Sequence, residues 1–265
     1  MTVPADTLGL GIDDLGEGGP ALLLLTGWCS SRGRWAKVAP LLAANRRVVS
    51  FEWRGHGESR PAAGDFGTAE MVEDALAVID ATGLETVIPC SASHSGWVAI
   101  ELRRRLGDRV PAIVHLDWLL LEPPGPYMEV IAQAQSPQTW AQARDKLFEI
   151  WRAGEEGPEI DAVIDVMRRQ GAEMWMRSGR EIEASYRRHG SPFRALAAFD
   201  PPPTVLHLYG QPPSTEYLEA QQQFAAGHEW FTVRRVEART HFLMIERPNE
   251  VASEIERVAA AVSPA

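Results

Sequence analysis

Ser93 stands in "SASHSGW", directly after the apolar run "VIPC" and before a helical pattern; Asp117 follows "AIVHL", and His241 follows "TVRRVEART". A hydroxyl, a carboxylate and an imidazole are the groups of nucleophilic catalysis: the imidazole takes the hydroxyl proton while the carboxylate orients the ring and supports its charged form. A sharp strand-to-helix turn built from small residues would hold the Ser93 hydroxyl clear of the chain around it. Each residue also has a plainer reading. Ser93 could be an ordinary turn residue, Asp117 a helix N-cap or surface carboxylate, and His241 a surface or core histidine. What sets them apart is joint placement, because all three fall just beyond the ends of candidate strands, where open parallel sheets bind ligands.

The elements that would position them follow from periodicity. Short β-rich runs are expected at 21–25, 47–53, 86–90, 112–116, 204–209 and 230–236, and helical patterns separate them. That alternation is the mark of an α/β fold with a mostly parallel sheet covered on both faces. In "TAEMVEDALAVIDATG", Val72, Ala75, Leu76 and Ile79 share one helical face, with Thr68 as N-cap and Gly83 as terminator. From Glu122 to about Ala198 the alternation gives way to helical patterns between "EPPGP" and "FDPPP". The expected organisation is a core in two parts, 1–121 and 199–265, with a helical cap at 122–198, and a last helix from Pro248.

Composition narrows the function. The 265-residue chain is 45% hydrophobic and 23% charged, ordinary values for a globular protein, and its net charge of -10 disfavours nucleic acid and anionic membrane as partners. No apolar run approaches the roughly 20 residues of a membrane span. "MTVPADTLGLGIDD" has no basic region leading into an apolar core, so no secretory leader and a cytoplasmic location are expected. Cys29 and Cys90 form neither a disulfide framework nor a CxxC pair and read as buried thiols. The expected ligand is a small molecule.

The order Ser, Asp, His is that of the α/β-hydrolase fold, although "SASHSG" departs from G-x-S-x-G in having Ser91 and Ser95 for both glycines. Many proteins of this fold carry the acid after the following strand. Here "YGQPPSTEY" offers only Glu216, which leaves Asp117 the better partner for His241. His115 and His207 fall within strands and read as core or sheet-face residues; His189 and His228 fall in polar loops; His56, in "WRGHGES", reads as a brace. His94 follows Ser93, so its backbone N–H is placed to form an oxyanion hole with a second N–H near Trp28.

Read together, "TGWCS", "EWRGHGES", "SASHSGW", "HLDW" and "THF" resemble the cofactor-independent 3-hydroxy-4(1H)-quinolone 2,4-dioxygenases, a family of the α/β-hydrolase fold. The similarity runs through most of the chain, including "LFEIW" and "WMRSGREIEASYRRHGSP", and Trp97 and Trp118 narrow it beyond the generic fold. The resemblance implies ring cleavage by dioxygen as co-substrate, with release of carbon monoxide and an N-acylanthranilate and with no metal or flavin. It implies that His241 deprotonates the substrate 3-hydroxyl and that Asp117 supports its imidazolium. Ser93 would then hydrogen-bond the substrate instead of attacking it, with the N–H groups of Trp28 and His94 facing the developing oxyanion. Trp151 corresponds to a family tryptophan near the substrate, or else packs the cap; Trp175 is a further candidate for the pocket. Ser30 stands where family members carry a pocket histidine, which bears on how the ring is oriented.

Met128, Met167, Met174 and Met176, with Trp140, Trp151, Trp175, Leu147 and Phe148, would suit a long apolar substituent such as the 2-heptyl group of the bacterial quinolone signal, or would simply pack the cap. Two other functions use the same residues: a serine esterase or amidase working through Ser93, Asp117 and His241, and a non-catalytic protein that binds an apolar ligand. The oligomeric state is open.

Overall fold

The computed structural model describes residues 8–263; the first seven residues, part of the stretch in which no leader is expected, lie outside them. The strands are β1 (Ile12–Leu15), β2 (Ala21–Leu25), β3 (Val48–Phe51), β4 (Val87–Ala92), β5 (Ala112–Leu116), β6 (Thr204–Tyr209) and β7 (Phe231–Arg235). They form one sheet in the order β1-β3-β2-β4-β5-β6-β7. β1 runs antiparallel to β3, with Ile12 opposite Phe51 and Leu15 opposite Val48. All other pairs are parallel. Every residue of β2, β3, β4 and β5 is buried, which is why these strands read as unbroken apolar runs and not as alternation.

From β2 the chain passes to β3 on one side and then to β4 on the other, so the loops leaving β2 and β4 diverge from a common crevice at the carboxyl edge of the sheet. Helices around the sheet include α1 (Ala39–Ala43), α2 (Thr68–Thr82), α3 (Gly96–Leu106) and, after β6, α9 (Thr215–Ala226). Between β5 and β6 the described chain is helical, with α4 (Gly125–Gln133), α5 (Trp140–Arg152), α6 (Pro158–Arg168), α7 (Ala172–His189) and α8 (Pro192–Leu196). The short α10 (Leu243–Glu246) and α11 (Pro248–Ala261), the latter with proline in its first turn, close the chain.

The helical segment is tied to the core at several points. Arg177 pairs with Asp65 at 2.9 Å, and Glu181 accepts the Thr68 N–H at 2.9 Å. The Tyr186 hydroxyl donates to Leu119 O at 2.9 Å. At the opposite side the His241 N–H donates to Trp151 O at 2.8 Å.

Several local expectations are revised. Gly67, not Thr68, is the N-cap of α2: Glu70 folds back to accept the Gly67 N–H at 2.7 Å, and Thr68 is the first helical residue. Gly83 ends the helix in the left-handed region, φ 66°. β1 has no counterpart in the sequence reading, since "IDDL" is four residues long and half acidic. Acidic residues on a short edge strand also discourage pairing with other chains. His189 is the last residue of α7 and not a loop residue.

Candidate active site

Ser93 directly follows β4 and opens the turn into α3 with φ +57°, a conformation costly for any residue with a Cβ and one that lifts its side chain clear of the strand. The two serines that replace glycines around it are engaged internally. Ser95 Oγ donates to Leu25 O at 3.2 Å and to Ala92 O at 2.9 Å, while Ser91 Oγ meets His115 Nδ1 at 2.7 Å. Gly96 is indispensable to the turn's packing, because a Cβ there would sit 2.1 Å from the Trp118 ring. Trp118 in turn packs edge-on against Trp97, their centroids 5.1 Å apart.

Asp117 follows β5, also in the left-handed region at φ +45°, and is buried. The end of β6 supplies donors to it: Gly210 N–H and Gln211 N–H reach Oδ1 at 2.8 and 3.2 Å. Oδ2 has no partner. Burial pushes the Asp117 carboxyl up to about 7, against the pull of those two N–H groups, of the Arg34 charge and of the Leu243 N–H. Glu216, in the first turn of α9, is exposed and lines neither cavity described below.

His241 lies past β7 with its ring stacked on Trp151, centroids 5.3 Å apart and planes at 18°. Its Nε2 is buried and unpartnered. Burial first, and the nearby Arg34 charge second, hold the imidazole well below its ordinary pKa, so it is neutral at physiological pH and takes up a proton only where a neighbouring negative charge compensates. Two cavities meet at this residue. The outer one, about 400 Å³, is mostly apolar and is lined by Ser93, Asp117, Trp118, Tyr127, Trp151 and His241 among others. The inner one, about 30 Å³, is bounded by Trp28, Ser93, His94, Trp151, Trp175 and His241. The outer volume lies within the range of small-ligand sites, roughly 300–1,000 Å³.

The structure therefore gathers Ser93, Asp117, His241, Trp28, His94, Trp151 and Trp175 around connected space. Ser30 is the exception. The chain turns at Cys29, φ +61°, and Ser30 is buried without lining either cavity. His94 turns its ring into an aromatic cluster with Trp97, Trp118 and Tyr186, and burial lowers its pKa to about 3. His56 is a brace: its Nδ1 donates to Arg54 O at 3.1 Å and its Nε2 accepts the Cys29 N–H at 3.0 Å, fixing the loop that carries Trp28. His115 and His207 are buried and opposite one another on β5 and β6.

One residue beside the site is absent from the sequence reading. Arg34, in the 3-10 turn Arg32–Trp35, is buried, lines the inner cavity and donates to the His241 carbonyl at 2.7 Å. Among the described residues no group of three or more His, Cys, Asp and Glu converges as a metal site would. No described helix is long and apolar enough to cross a membrane.

Residues 22–254 match the alpha/beta hydrolase family. The chain is 38% identical over 251 residues to 2-heptyl-3-hydroxy-4(1H)-quinolone dioxygenase of Mycobacteroides abscessus, covering 92% of each chain. It is 37% identical over 238 residues to 1H-3-hydroxy-4-oxoquinoline 2,4-dioxygenase of Pseudomonas putida, covering 89% of this chain and 90% of the other. Among solved structures it superposes with a TM-score of 0.90, at 37% identity and 96% coverage of both chains, on a variant of AqdC, which recognises and cleaves the ring of the Pseudomonas quinolone signal, in complex with its substrate. The chain belongs to the alpha/beta hydrolase family and, within it, to the 3-hydroxy-4-quinolone dioxygenases.

Proposed function

We propose that this protein cleaves the heterocyclic ring of 2-alkyl-3-hydroxy-4(1H)-quinolones with dioxygen, yielding carbon monoxide and an N-acylanthranilate, and that it does so without a metal or organic cofactor. The observation that carries the reading is a neutral imidazole, that of His241, at the meeting point of two cavities with its Nε2 unpartnered. Such a group removes a proton from a ligand hydroxyl presented to it.

Deprotonation of the 3-hydroxyl leaves an anion whose charge extends to C2. That electron-rich carbon reduces dioxygen and forms the C2–O bond. The distal oxygen then closes on the C4 carbonyl, and rupture of the O–O, C2–C3 and C3–C4 bonds expels C3 with its oxygen as carbon monoxide. Both atoms of dioxygen end in the organic product. The charge that arrives on the C4 oxygen is where the backbone N–H groups of Trp28 and His94 would act. Asp117 supports the imidazolium of His241, and Ser93 hydrogen-bonds the bound ring. Trp151 and Trp175, from α5 and α7, serve as aromatic walls, which supports reading 122–198 as a cap over a core formed by 1–121 and 199–265. The mostly apolar outer cavity accommodates the alkyl chain. The net charge of -10 favours a small molecule over nucleic acid as the partner, and a cytoplasmic location is consistent with this reading.

The test is incubation with 2-heptyl-3-hydroxy-4(1H)-quinolone with and without air, after exhaustive chelation. The expected result is oxygen-dependent loss of the quinolone with one carbon monoxide per ring, unaffected by chelator. Turnover that needs an added metal would overturn the cofactor-free part. The φ of +57° at Ser93 favours a second reading, acyl transfer through that hydroxyl; ester or amide cleavage independent of oxygen would support it instead.

A further inference from the structure

We propose that Arg34 is a positioning residue for ring cleavage: it fixes the segment carrying His241 and supplies the fixed positive charge against which the substrate's 3-olate anion is held. The inference rests on the quinolone reading above.

The geometry is specific. Arg34 is 2% exposed. Its Nη2 donates to the His241 main-chain oxygen at 2.7 Å, its Nε meets the Met244 sulfur at 3.2 Å, and its guanidinium carbon lies 5.0 Å from the centre of the Phe242 ring. The side chain thus grips three residues, 241, 242 and 244, of the segment that bears the base. Arg34 also lines the inner cavity, together with Ser93 and His241. A Cβ built on Gly27 would lie 3.9 Å from Arg34 Nη1 and 3.4 Å from Ser93 Cβ, so the absence of a side chain at residue 27 leaves the guanidinium and Ser93 facing across a short gap.

The electrostatics call for an anion. Buried charges are normally paired, since an unpaired one forfeits its hydration. Burial lowers the Arg34 pKa to about 10, which leaves it charged at neutral pH. Among the described residues no carboxylate lies within ion-pairing distance of it; its neighbour on the turn, Arg32, is by contrast paired with Asp13, Glu52 and Glu58. The titratable groups facing Arg34 are Asp117 from the end of β5, His241 from the segment after β7, His94 from the β4–α3 turn and Tyr127 from α4. Only Asp117 is acidic near neutrality, and its carboxyl is pushed up to about 7. Once His241 has taken the substrate proton, and above about pH 7 where Asp117 is ionised, two cations, Arg34 and His241, stand against two anions, Asp117 and the 3-olate. The charges then balance. Without Arg34 the same step would leave a net negative site.

The proposal is tested on anaerobic complexes with 2-heptyl-3-hydroxy-4(1H)-quinolone, following the absorption of the bound anion against pH, in the wild type, Arg34→Met and Arg34→Lys. Methionine keeps an unbranched chain against Phe242 and Met244 but removes the charge. The expected result is a rise of about one pH unit or more in the ionisation midpoint of the bound ligand in Arg34→Met, the equivalent of about a tenfold loss of preference for the anion. Arg34→Lys should recover at least half of that shift. 2-Heptyl-4(1H)-quinolone, which lacks the ionising hydroxyl, should bind all three proteins within about threefold. Equal weakening of both ligands, or an unmoved midpoint in Arg34→Met, would overturn the proposal in favour of a purely structural role. Should Arg34→Met fail to fold, His241→Ala with Arg34 intact gives the answer: the bound ligand should still ionise at lower pH than in free solution, and a midpoint at or above the free value overturns the proposal. A wild type that consumes the quinolone in air while Arg34→Met leaves the midpoint unmoved sinks this inference alone. A wild type that neither binds nor consumes it sinks the quinolone reading and this inference together.

Discussion

In the proposed reaction Ser93, Asp117 and His241 would divide the work according to what surrounds each. On the proposed reading His241, desolvated and neutral, is the base; its replacement by alanine should cost at least about 100-fold in turnover near neutral pH, the lower range for a positioned acid–base group. Raising the pH should return part of the activity by supplying substrate already ionised. Full activity of His241→Ala at pH 7 would exclude it as the base. Ser93 is expected to matter less. A hydrogen bond to the substrate is worth roughly 0.5–3 kcal/mol depending on charge, a few-fold to a little over 100-fold in rate, whereas a nucleophile cannot be spared. Single-turnover decay of the quinolone in air should therefore survive in Ser93→Ala more than in Asp117→Ala or His241→Ala, and mass spectrometry during wild-type turnover should find no adduct on Ser93. Complete inactivity of a folded Ser93→Ala points to covalent catalysis. Ser93 and Asp117 stood out in the sequence because each follows an apolar run that forms a buried strand, whereas His241 follows the polar, half-exposed "TVRRVEART" and stood out only by its place after the last strand. Arg34 did not, since "SSRGRW" carries two arginines and arginine is usually exposed; only the path of the 3-10 turn sends one to an ion-pair cluster and the other under His241. Ser30 illustrates the converse, because proximity in sequence to Trp28 did not bring it to the cavity wall.

The β4–α3 element shows how a departure from a motif is absorbed. Serines at 91 and 95 are accommodated because their hydroxyls find His115 and main-chain carbonyls inside the fold, so neither is left as a buried orphan. Gly96 has no such latitude. Gly96→Ala would drive a methyl into the Trp118 ring, 2.1 Å away, and Trp118 is itself held against Trp97 and beside Asp117. Overpacking of this kind costs typically about 1–3 kcal/mol, so the urea midpoint should fall and turnover should fall with it. An unchanged midpoint would mean that the turn shifts freely, contrary to its packing. At this scale sequence reading did well where one force dominates. The boundaries at 21–25, 112–116 and 204–209 coincide with β2, β5 and β6, all of them strands bounded by turn-forming residues. It failed where partners distant in sequence decide: β1 exists through its pairing with β3, and Glu181 from α7 accepts the Thr68 N–H at the start of α2.

Across the whole molecule, five buried histidines make folding sensitive to acid. Burial holds His56 at about 4, His94 at about 3 and His207 at about 4, and keeps His115 and His241 well below 6.5. In the unfolded chain each would titrate near 6.5. Between about pH 6.5 and 4 the unfolded state therefore binds more protons than the folded state, so this contribution to stability is complete above that window and is lost as the pH falls through it. Asp117 has the opposite sign. Its folded pKa of about 7 lies above the unfolded value, so it takes up a proton in the folded state first and offsets one of the five histidines on acidification. A net of about four protons, five less one, at about 1.4 kcal/mol per pH unit each, is steep against a total folding stability on the order of 5–15 kcal/mol. Asp65, held near 2 by Arg177 and Arg180, is exposed and acts only at still lower pH. Urea midpoints measured at pH 8, 6.5, 5.5 and 5 should dip slightly between the first two and then fall sharply. His207→Gln, which keeps a polar group beside Gln221 but cannot take up a proton, should have a shallower descent than the wild type. A midpoint flat down to pH 4.5, or an unchanged slope in a folded His207→Gln, would show that the histidines find water or protons in the folded state and are not sealed in the core.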